Sequence, residues 1–160
     1  MKKIVLLTIM GVMLILGTGC SQTGAETTSE NPVLKEELSV ILETIYEKSG
    51  IELPSLANTE LNEENEAYYI GTNDVAYIEA VASEPMMSSI AHSVVLLRVE
   101  EGSDIEKIKE TIKTKVDPRK WICVGVEAED VIVDNIGNLV ILIMINDSTL
   151  LHDAFLAFAE

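Results

Sequence analysis

Apolar residues recur at helical spacing in three segments of the chain. The first segment is residues 32–49, which follow Asn31, a residue type that commonly caps a helix N-terminus. The second begins at Ser103, and Ser103 with Glu106 matches a capping box. The third follows residues 147–148. These segments predict three helices, whose apolar stripes are Leu34, Leu38, Ile41, Leu42, Ile45 and Tyr46, then Ile105, Ile108, Ile112 and Val116, and finally Leu151, Phe155 and Phe158.

Five other segments are short, apolar and rich in β-branched residues, which is the pattern of strands. They are residues 67–71, 75–82, 93–100, 130–134 and 138–145. The last two flank a turn rich in asparagine and glycine, so they predict a hairpin. Its second arm, NLVILIMI, is apolar on both faces and predicts a central strand that is covered on both sides.

The order of these elements predicts an α+β fold, namely a mostly antiparallel sheet of four or five strands with about three helices packed mainly on one face. The connection 51–66 contains Pro54 and an acid-rich end, which favours a loop. Residues 86–92 form either a helical turn or the start of a strand. Residues 121–126 form either a strand or a packed connection.

The N-terminal residues carry the pattern of a bacterial lipoprotein signal. Lys2 and Lys3 precede the apolar run 4–16, which at about a dozen residues is shorter than the roughly 20 of a membrane span. Small residues and then Cys20 follow, although Leu16 lies one position further from Cys20 than in the usual lipobox. The predicted parts are a signal peptide over 1–19, a flexible tether over 20–31 and a single α+β domain over 32–160.

Lipidation of Cys20 predicts a cell-membrane lipoprotein that faces the outside. Two or three acyl chains of the palmitate type suffice for a durable anchor without a transmembrane helix. An ordinary secretory signal with an incidental Cys20, and an uncleaved anchor, are the alternatives. Ser21 is also compatible with outer-membrane sorting, so these residues leave the type of envelope open.

The chain is strongly acidic, with 27 Asp and Glu against 11 Lys and Arg and a formal net charge of −16. Removal of residues 1–19 takes away Lys2 and Lys3 and no acid, so the mature charge is −18. Such a surface repels nucleic acid and anionic lipid, and we expect neither as a partner. It favours solubility, cation binding or basic partners.

Cys20 and Cys123 are the two cysteines of the sequence. If Cys20 carries lipid, Cys123 has no disulfide partner within the chain. Arg119 and Lys120 are neighbours that could activate a thiol, but no C-x-x-C motif is present. The apolar residues around Cys123 instead predict a buried, inert thiol.

His92 and His152 are the two histidines, and neither has the spacing of a zinc site. A soft-metal site formed by both histidines with Met86 and Met87 is the alternative. We expect the histidines to be solvated or hydrogen-bonded, and the methionine pair to fill a gap in the core. The sequence therefore predicts no metal site and no cofactor.

The other polar clusters match no catalytic or ion-binding motif. The acidic run 60–66 and the pair Asp130 and Asp134 lack the pattern of a calcium loop, so we expect solvated faces. Ser88 and Ser89 lie near a histidine without a nucleophile elbow, which favours a capped turn. The glycines form no phosphate-binding loop. The sequence therefore predicts no enzymatic activity.

The segments MMSSIAHSVVLLRVEEG and DPRKWICVGVEAEDVIVDNIGNLVILIMI are separated by an amphipathic helix and followed by a terminal helix. This arrangement resembles a family of small lipoproteins of Gram-positive bacteria whose domain has no assigned function. In that family a paired-methionine segment leads into a strand, and a glycine-containing hairpin precedes the last helix. The resemblance implies a lipid anchor, this fold and a single-membrane host, and it implies no activity or catalytic residue.

Together these features predict a lipid-anchored, non-enzymatic module that binds a protein or another component of the cell envelope. The alternative is a lipoprotein that binds a small ligand or a metal and serves a transporter, for which His92, His152 and the methionine pair are the support. An enzyme that uses Cys123 or His92 is the third hypothesis.

Overall fold

Five strands and four α-helices make up residues 34–159, the part of the chain that the computed structural model describes. The strands are β1 (Leu56–Glu60), β2 (Glu79–Pro85), β3 (His92–Arg98), β4 (Val131–Ile136) and β5 (Leu139–Ile145). The helices are α1 (Leu38–Ser49), α2 (Glu66–Ile70), α3 (Ile105–Lys115) and α4 (Thr149–Leu156), and a 3-10 helix (Ala128–Asp130) precedes β4.

All strand pairs are antiparallel, in the order β1-β2-β3-β5-β4. This confirms the predicted α+β class and the antiparallel sheet. β4 and β5 form the predicted hairpin, whose turn contains Gly137 at φ 57° and a 3.0 Å hydrogen bond from the Asn135 side chain to the Gly137 carbonyl. β5 lies between β3 and β4 and is buried over its full length, as its apolar run predicts.

Helices cover both faces of the sheet. Leu139, Ile141 and Ile143 of β5 belong to one apolar layer with α1 and α4. Val140 and Leu142 belong to the other layer, which contains apolar residues of α2 and α3. The helices are therefore not packed mainly on one face, because β3 and β5 are apolar on both sides and each side needs a cover.

Two short elements differ from the sequence prediction. β1 lies in the segment that was predicted as a loop. Its polar sequence has little intrinsic preference for a strand, and its backbone is extended because it pairs with β2. Residues 66–70 form helix α2 instead of a strand. A turn precedes α2, in which the Asn62 amide donates to Asn65 Oδ1 at 2.8 Å, and Gly71 at φ 81° ends it.

The N-terminal ends of helices α1 and α3 also differ from the sequence prediction. α1 begins at Leu38, while residues 32–33 of the predicted helix lie outside the described residues. Asp104 caps α3 by accepting a 3.1 Å hydrogen bond from the Lys107 amide, so the predicted Ser103 capping box does not form. Residues 121–126 form the packed connection and not the strand, with Trp121 and Val126 buried.

No helix within residues 34–159 combines the length and the apolarity that crossing a bilayer requires. The predicted signal peptide, Cys20 and the predicted tether lie outside the described residues.

Candidate functional site

Several large apolar side chains are exposed at one end of the sheet. We call this group the apolar loop end, and it consists of Leu53, Met86, Met87, Ile122 and Leu150. Met86 is 78% exposed, Ile122 65% and Met87 61%. The predicted burial of the methionine pair is wrong, because β2 ends at Pro85 and the following turn points both side chains to solvent.

Backbone hydrogen bonds join the loops at this end. The Met86 amide donates to the Ser55 carbonyl at 3.2 Å, and the Ile122 amide donates to the Ser88 carbonyl at 2.9 Å. A cavity of about 420 Å³ brings Leu150 next to Ile51 and Pro54. The loops before β1, after β2 and after α3 therefore form one surface. Several exposed large apolar side chains at one end of a domain make that end a candidate interaction site.

The chain enters the domain at the opposite end of the sheet. Arg98, the last residue of β3, donates a 2.6 Å hydrogen bond from Nη2 to the Glu36 carbonyl and forms an ion pair with Glu79, the first residue of β2. The seven residues of β2 separate this end from Met86, a distance of about 20 Å. The apolar loop end thus faces away from the point where the N-terminal segment joins the domain.

An open groove of about 750 Å³ runs between α1 and β1. We call it the α1–β1 groove. Its walls include apolar and acidic side chains, among them Val40, Glu43 and Leu53. Tyr46 and Ser83 also line it. The Ser83 hydroxyl is buried near the Tyr46 hydroxyl and makes no hydrogen bond of good geometry within the described residues.

His92 is buried against the same tyrosine. Its Nε2 lies 2.9 Å from the Tyr46 hydroxyl, and the two ring centroids are 5.7 Å apart. Burial lowers the pKa of His92 to about 4 and raises the pKa of Tyr46 above its usual range. Both side chains are therefore neutral at physiological pH, and the pair joins α1 to β3.

His152 has a different partner. Its Nε2 lies 2.7 Å from Asp134 Oδ2, while Lys109 Nζ lies 3.5 Å from Asp134 Oδ1. Burial disfavours the ionised Asp134 carboxyl, but the hydrogen bonds from His152 and the Asn135 amide, with the charge of Lys109, outweigh it and lower its pKa. Asp134 thus ties edge strand β4 to both α3 and α4.

The structure does not bring the two histidines into one site. Within residues 34–159, no three His, Cys, Asp or Glu side chains are placed to hold a metal ion. Met86 and Met87 are at the exposed apolar loop end, whereas His92 is buried beside Tyr46. The geometry therefore gives the soft-metal alternative no support.

A buried ion pair lies on the other side of the sheet from His92. Lys120 Nζ is 2.6 Å from Glu84 Oε1 and 3.3 Å from Ser93 Oγ. It also lies 4.6 Å from the ring centroid of Tyr68 and 5.5 Å from that of Trp121. Burial lowers the pKa of Lys120, and the charge of Glu84 opposes that shift. Sequence reasoning missed this cluster because its members come from four separate segments.

Cys123 is exposed, so the predicted buried thiol is wrong. Its φ is 62°, in the left-handed region, and this conformation accompanies a connection that buries Trp121 and Val126 but not the residues between them. Lys120 faces Glu84 instead of activating the thiol.

The acidic run 60–66 is partly buried, and the serine pair Ser88 and Ser89 is exposed. Glu66 is buried and accepts a 2.6 Å hydrogen bond from the Tyr77 hydroxyl, so the expected solvated face does not extend to this residue. Ser88 and Ser89 are exposed, whereas His92 is buried, so the three do not form a catalytic group.

Comparison of the chain with protein-family models, with curated proteins and with solved structures found no match.

Proposed function

We propose that this chain is a lipid-anchored protein on the outer face of the cell membrane, and that its domain is a non-enzymatic module that binds an envelope protein. The observation that carries the proposal is the apolar loop end. Five large apolar side chains, from three hydrogen-bonded loops and the start of α4, are 41–78% exposed there. Exposed apolar surface of this kind is costly in water and is typical of an interaction site.

The position of this surface supports the same function. A lipid on Cys20 would hold the N-terminal side of the domain near the bilayer. The apolar loop end lies at the far end of the sheet from Glu36, which is close to the first described residue, so it is free to meet another protein. The mature charge of −18 disfavours contact with anionic lipid and leaves a protein as the expected partner.

A photo-cross-linking experiment in cells tests the contact surface. A photoreactive residue in place of Met87 should give one discrete cross-linked product, and the same residue in place of exposed Lys113 on α3 should not. The product should disappear in the variant Met86→Ser/Ile122→Ser. Equal products from both positions, or a product that survives this variant, would contradict the proposal.

Metabolic labelling with an alkynyl fatty acid tests the anchor. The full chain should carry the label, and Cys20→Ala should lose it and migrate as a slightly larger, uncleaved chain. The label and the size are the readouts, because the uncleaved apolar segment 4–16 would still bind membranes. An unlabelled parent chain, or a Cys20→Ala chain that keeps the full label and the parent's size, would contradict acylation at this residue.

Carriage of a small ligand is a second candidate function. The α1–β1 groove favours it, since a cavity of about 750 Å³ that Tyr46 and Ser83 help to line has the size of small-molecule sites. A thermal-shift screen with amino acids, sugars and cell-wall fragments tests this function. A ligand at a hundred times its Kd should stabilise the fold by about 2.7 kcal/mol.

A further inference from the structure

β1 is an edge strand, and its outward backbone groups are unpaired at Leu56 and Asn58, while the outward Glu60 carbonyl accepts a 3.0 Å hydrogen bond from the Asn65 side chain. The Leu61 amide donates to the Ala80 carbonyl at 3.0 Å, and the Met86 amide donates to the Ser55 carbonyl at 3.2 Å. In an antiparallel pair the bonded residues alternate. The backbone groups of Leu56 and Asn58 therefore point away from β2, and no residue within 34–159 bonds to them.

The opposite edge of the sheet is covered. Lys109 of α3 and His152 of α4 both bind Asp134 in β4, and the residues of β4 are buried or half-buried, whereas those of β1 are mostly exposed. Proteins commonly protect edge strands in this way against pairing with other chains. The described residues place no equivalent cover over β1. An uncovered edge strand offers unpaired backbone groups with which another strand can pair.

Two neighbouring cavities lie along this uncovered edge. The α1–β1 groove borders Leu56 and Asn58, and a second cavity of about 520 Å³ continues past Glu60. Ser39 of α1 lines both cavities. A strand added to β1 would place alternate side chains in this groove, because successive side chains point to opposite faces of a sheet.

The lining of the groove determines which side chains fit there. Val40, Leu53 and Leu56 offer apolar contacts, and Val40 is 48% exposed. Glu43 and Glu47 add negative charge, and neither cavity is lined by a lysine or an arginine. A strand complements the groove if the side chains that face α1 are apolar or basic. The residues between them would face away from the groove.

We infer that β1 and the α1–β1 groove bind an extended segment of a partner protein as a sixth strand, with basic and apolar side chains facing α1. The inference deepens the proposed function and rests on it, since Leu53 belongs to both the groove and the apolar loop end. A second copy of this chain fits less well, because two acidic grooves would face each other. The chain's own residues 20–33 contain Glu26 and Glu30 but no basic residue, so they do not complement the groove either.

Peptide selection on the purified full chain tests the inference. The probe is a display library of random nonapeptides, and we expect enriched peptides in which basic and apolar residues recur at alternate positions. Asn58→Pro removes the outward amide and no ladder bond to β2, so the fold should persist. This variant should weaken the selected peptides roughly tenfold, whereas Asn58→Thr, which keeps the amide, should bind as the parent does.

A charge variant provides a second, independent test. Glu43→Gln/Glu47→Gln should weaken the same peptides and reduce the salt dependence of their affinity. The matched pair Glu101→Gln/Glu110→Gln removes two exposed acids away from the groove and should change little. Equal effects of both pairs would show binding to net charge alone and would overturn the inference.

Other outcomes separate this inference from the proposed function. Peptides that are insensitive to Asn58→Pro but lost with Met86→Ser/Ile122→Ser would overturn strand addition and leave the binding module standing. Failure to enrich any peptide, or enrichment of acidic ones, would overturn strand addition. So would a dimer that Asn58→Pro dissociates, or binding that appears only after removal of residues 20–33. Loss of the Met87 cross-link in cells, by contrast, concerns the proposed function alone.

Discussion

His92 is held neutral in the folded protein by its burial beside Tyr46. The residue is 5% exposed, and this burial lowers the pKa of its ring from 6.5 to about 4. In the unfolded chain the same ring takes up a proton near pH 6.5. Between these two pH values the unfolded state therefore binds one more proton than the folded state.

The stability of the protein should consequently fall as the pH is lowered from about 6.5 to about 4. The free energy of unfolding is not reduced by His92 above the pKa of its ring in the unfolded chain. It falls by about 3 kcal/mol as the pH is lowered from that value to the pKa of the ring in the folded protein. Urea unfolding of the full chain across this range measures it. His92→Gln should show a shallower dependence on pH than the parent.

Asp134 does not interfere with this measurement. Burial disfavours its charged form, but the hydrogen bonds from His152 and Asn135 outweigh it, so the pKa of Asp134 lies below its usual 3.8. Its contribution to stability is therefore lost mainly below its unfolded pKa of 3.8, at and beyond the acidic end of the pH range that His92 governs. Identical pH profiles for the parent and His92→Gln would show that the histidine is not held neutral.

The ion pair of Lys120 and Glu84 acts at the scale of elements. It joins the connection after α3 to the end of β2, and Lys120 also contacts Ser93 in β3. The Lys120 side chain is 4% exposed and that of Glu84 is 13% exposed. Lys120→Met would leave the Glu84 carboxyl without its ion-pair partner, which should cost about 3–5 kcal/mol in the free energy of unfolding.

A double-mutant cycle separates the pair from other effects of the substitution. Adding Glu84→Gln to Lys120→Met should restore part of the lost stability, because no buried charge then remains unpaired. Lys113→Met, at an exposed position of α3, should leave the stability nearly unchanged. Strictly additive losses in the double variant would show that the two charges are not coupled.

Elements with a local signal were predictable from the sequence, and those that depend on a distant partner were not. β5 is an unbroken apolar run, and α3 carries an amphipathic stripe. In both elements the pattern that predicts the structure lies within one continuous segment of the sequence. β1 has the sequence LANTE and is a strand because β2 lies beside it. The tyrosines of α2 favour a strand locally, but Ile70 is buried against the sheet in a helix.

The same distinction applies to the candidate sites. The predicted lipobox around Cys20 is a contiguous motif, so the sequence alone supports that prediction. The apolar loop end combines residues from positions 53 to 150, which only the sheet brings to one end. Lys120 and Glu84 are 36 positions apart, and no pattern links them. The apolar neighbours of Cys123 in the sequence predict burial. Its exposure depends instead on the path of the connection between Trp121 and Val126, which the sequence pattern does not reveal.

At the scale of the whole molecule, one sheet supports two apolar layers. Ile141 of β5 belongs to the layer with α1 and α4, and Leu142 belongs to the layer with α3. Trp121, the one tryptophan of the sequence, is buried in the α3 layer. Neither layer can lose its cover without exposing a face of the same strands, so we expect the described domain to unfold as one cooperative unit.

Ile141→Ala tests this coupling across the sheet. Removal of a fully buried isoleucine from the α1 layer should cost about 2–5 kcal/mol. The cost should appear equally in the unfolding transition followed by Trp121 fluorescence, on the opposite face, and in that followed by far-UV circular dichroism. Ile78→Ala, at a position that is 60% exposed, should shift neither transition appreciably. A Trp121 transition that stays in place while the circular dichroism splits would mean that the α1 layer separates on its own. The α1–β1 groove would then lie in an independently opening part of the molecule.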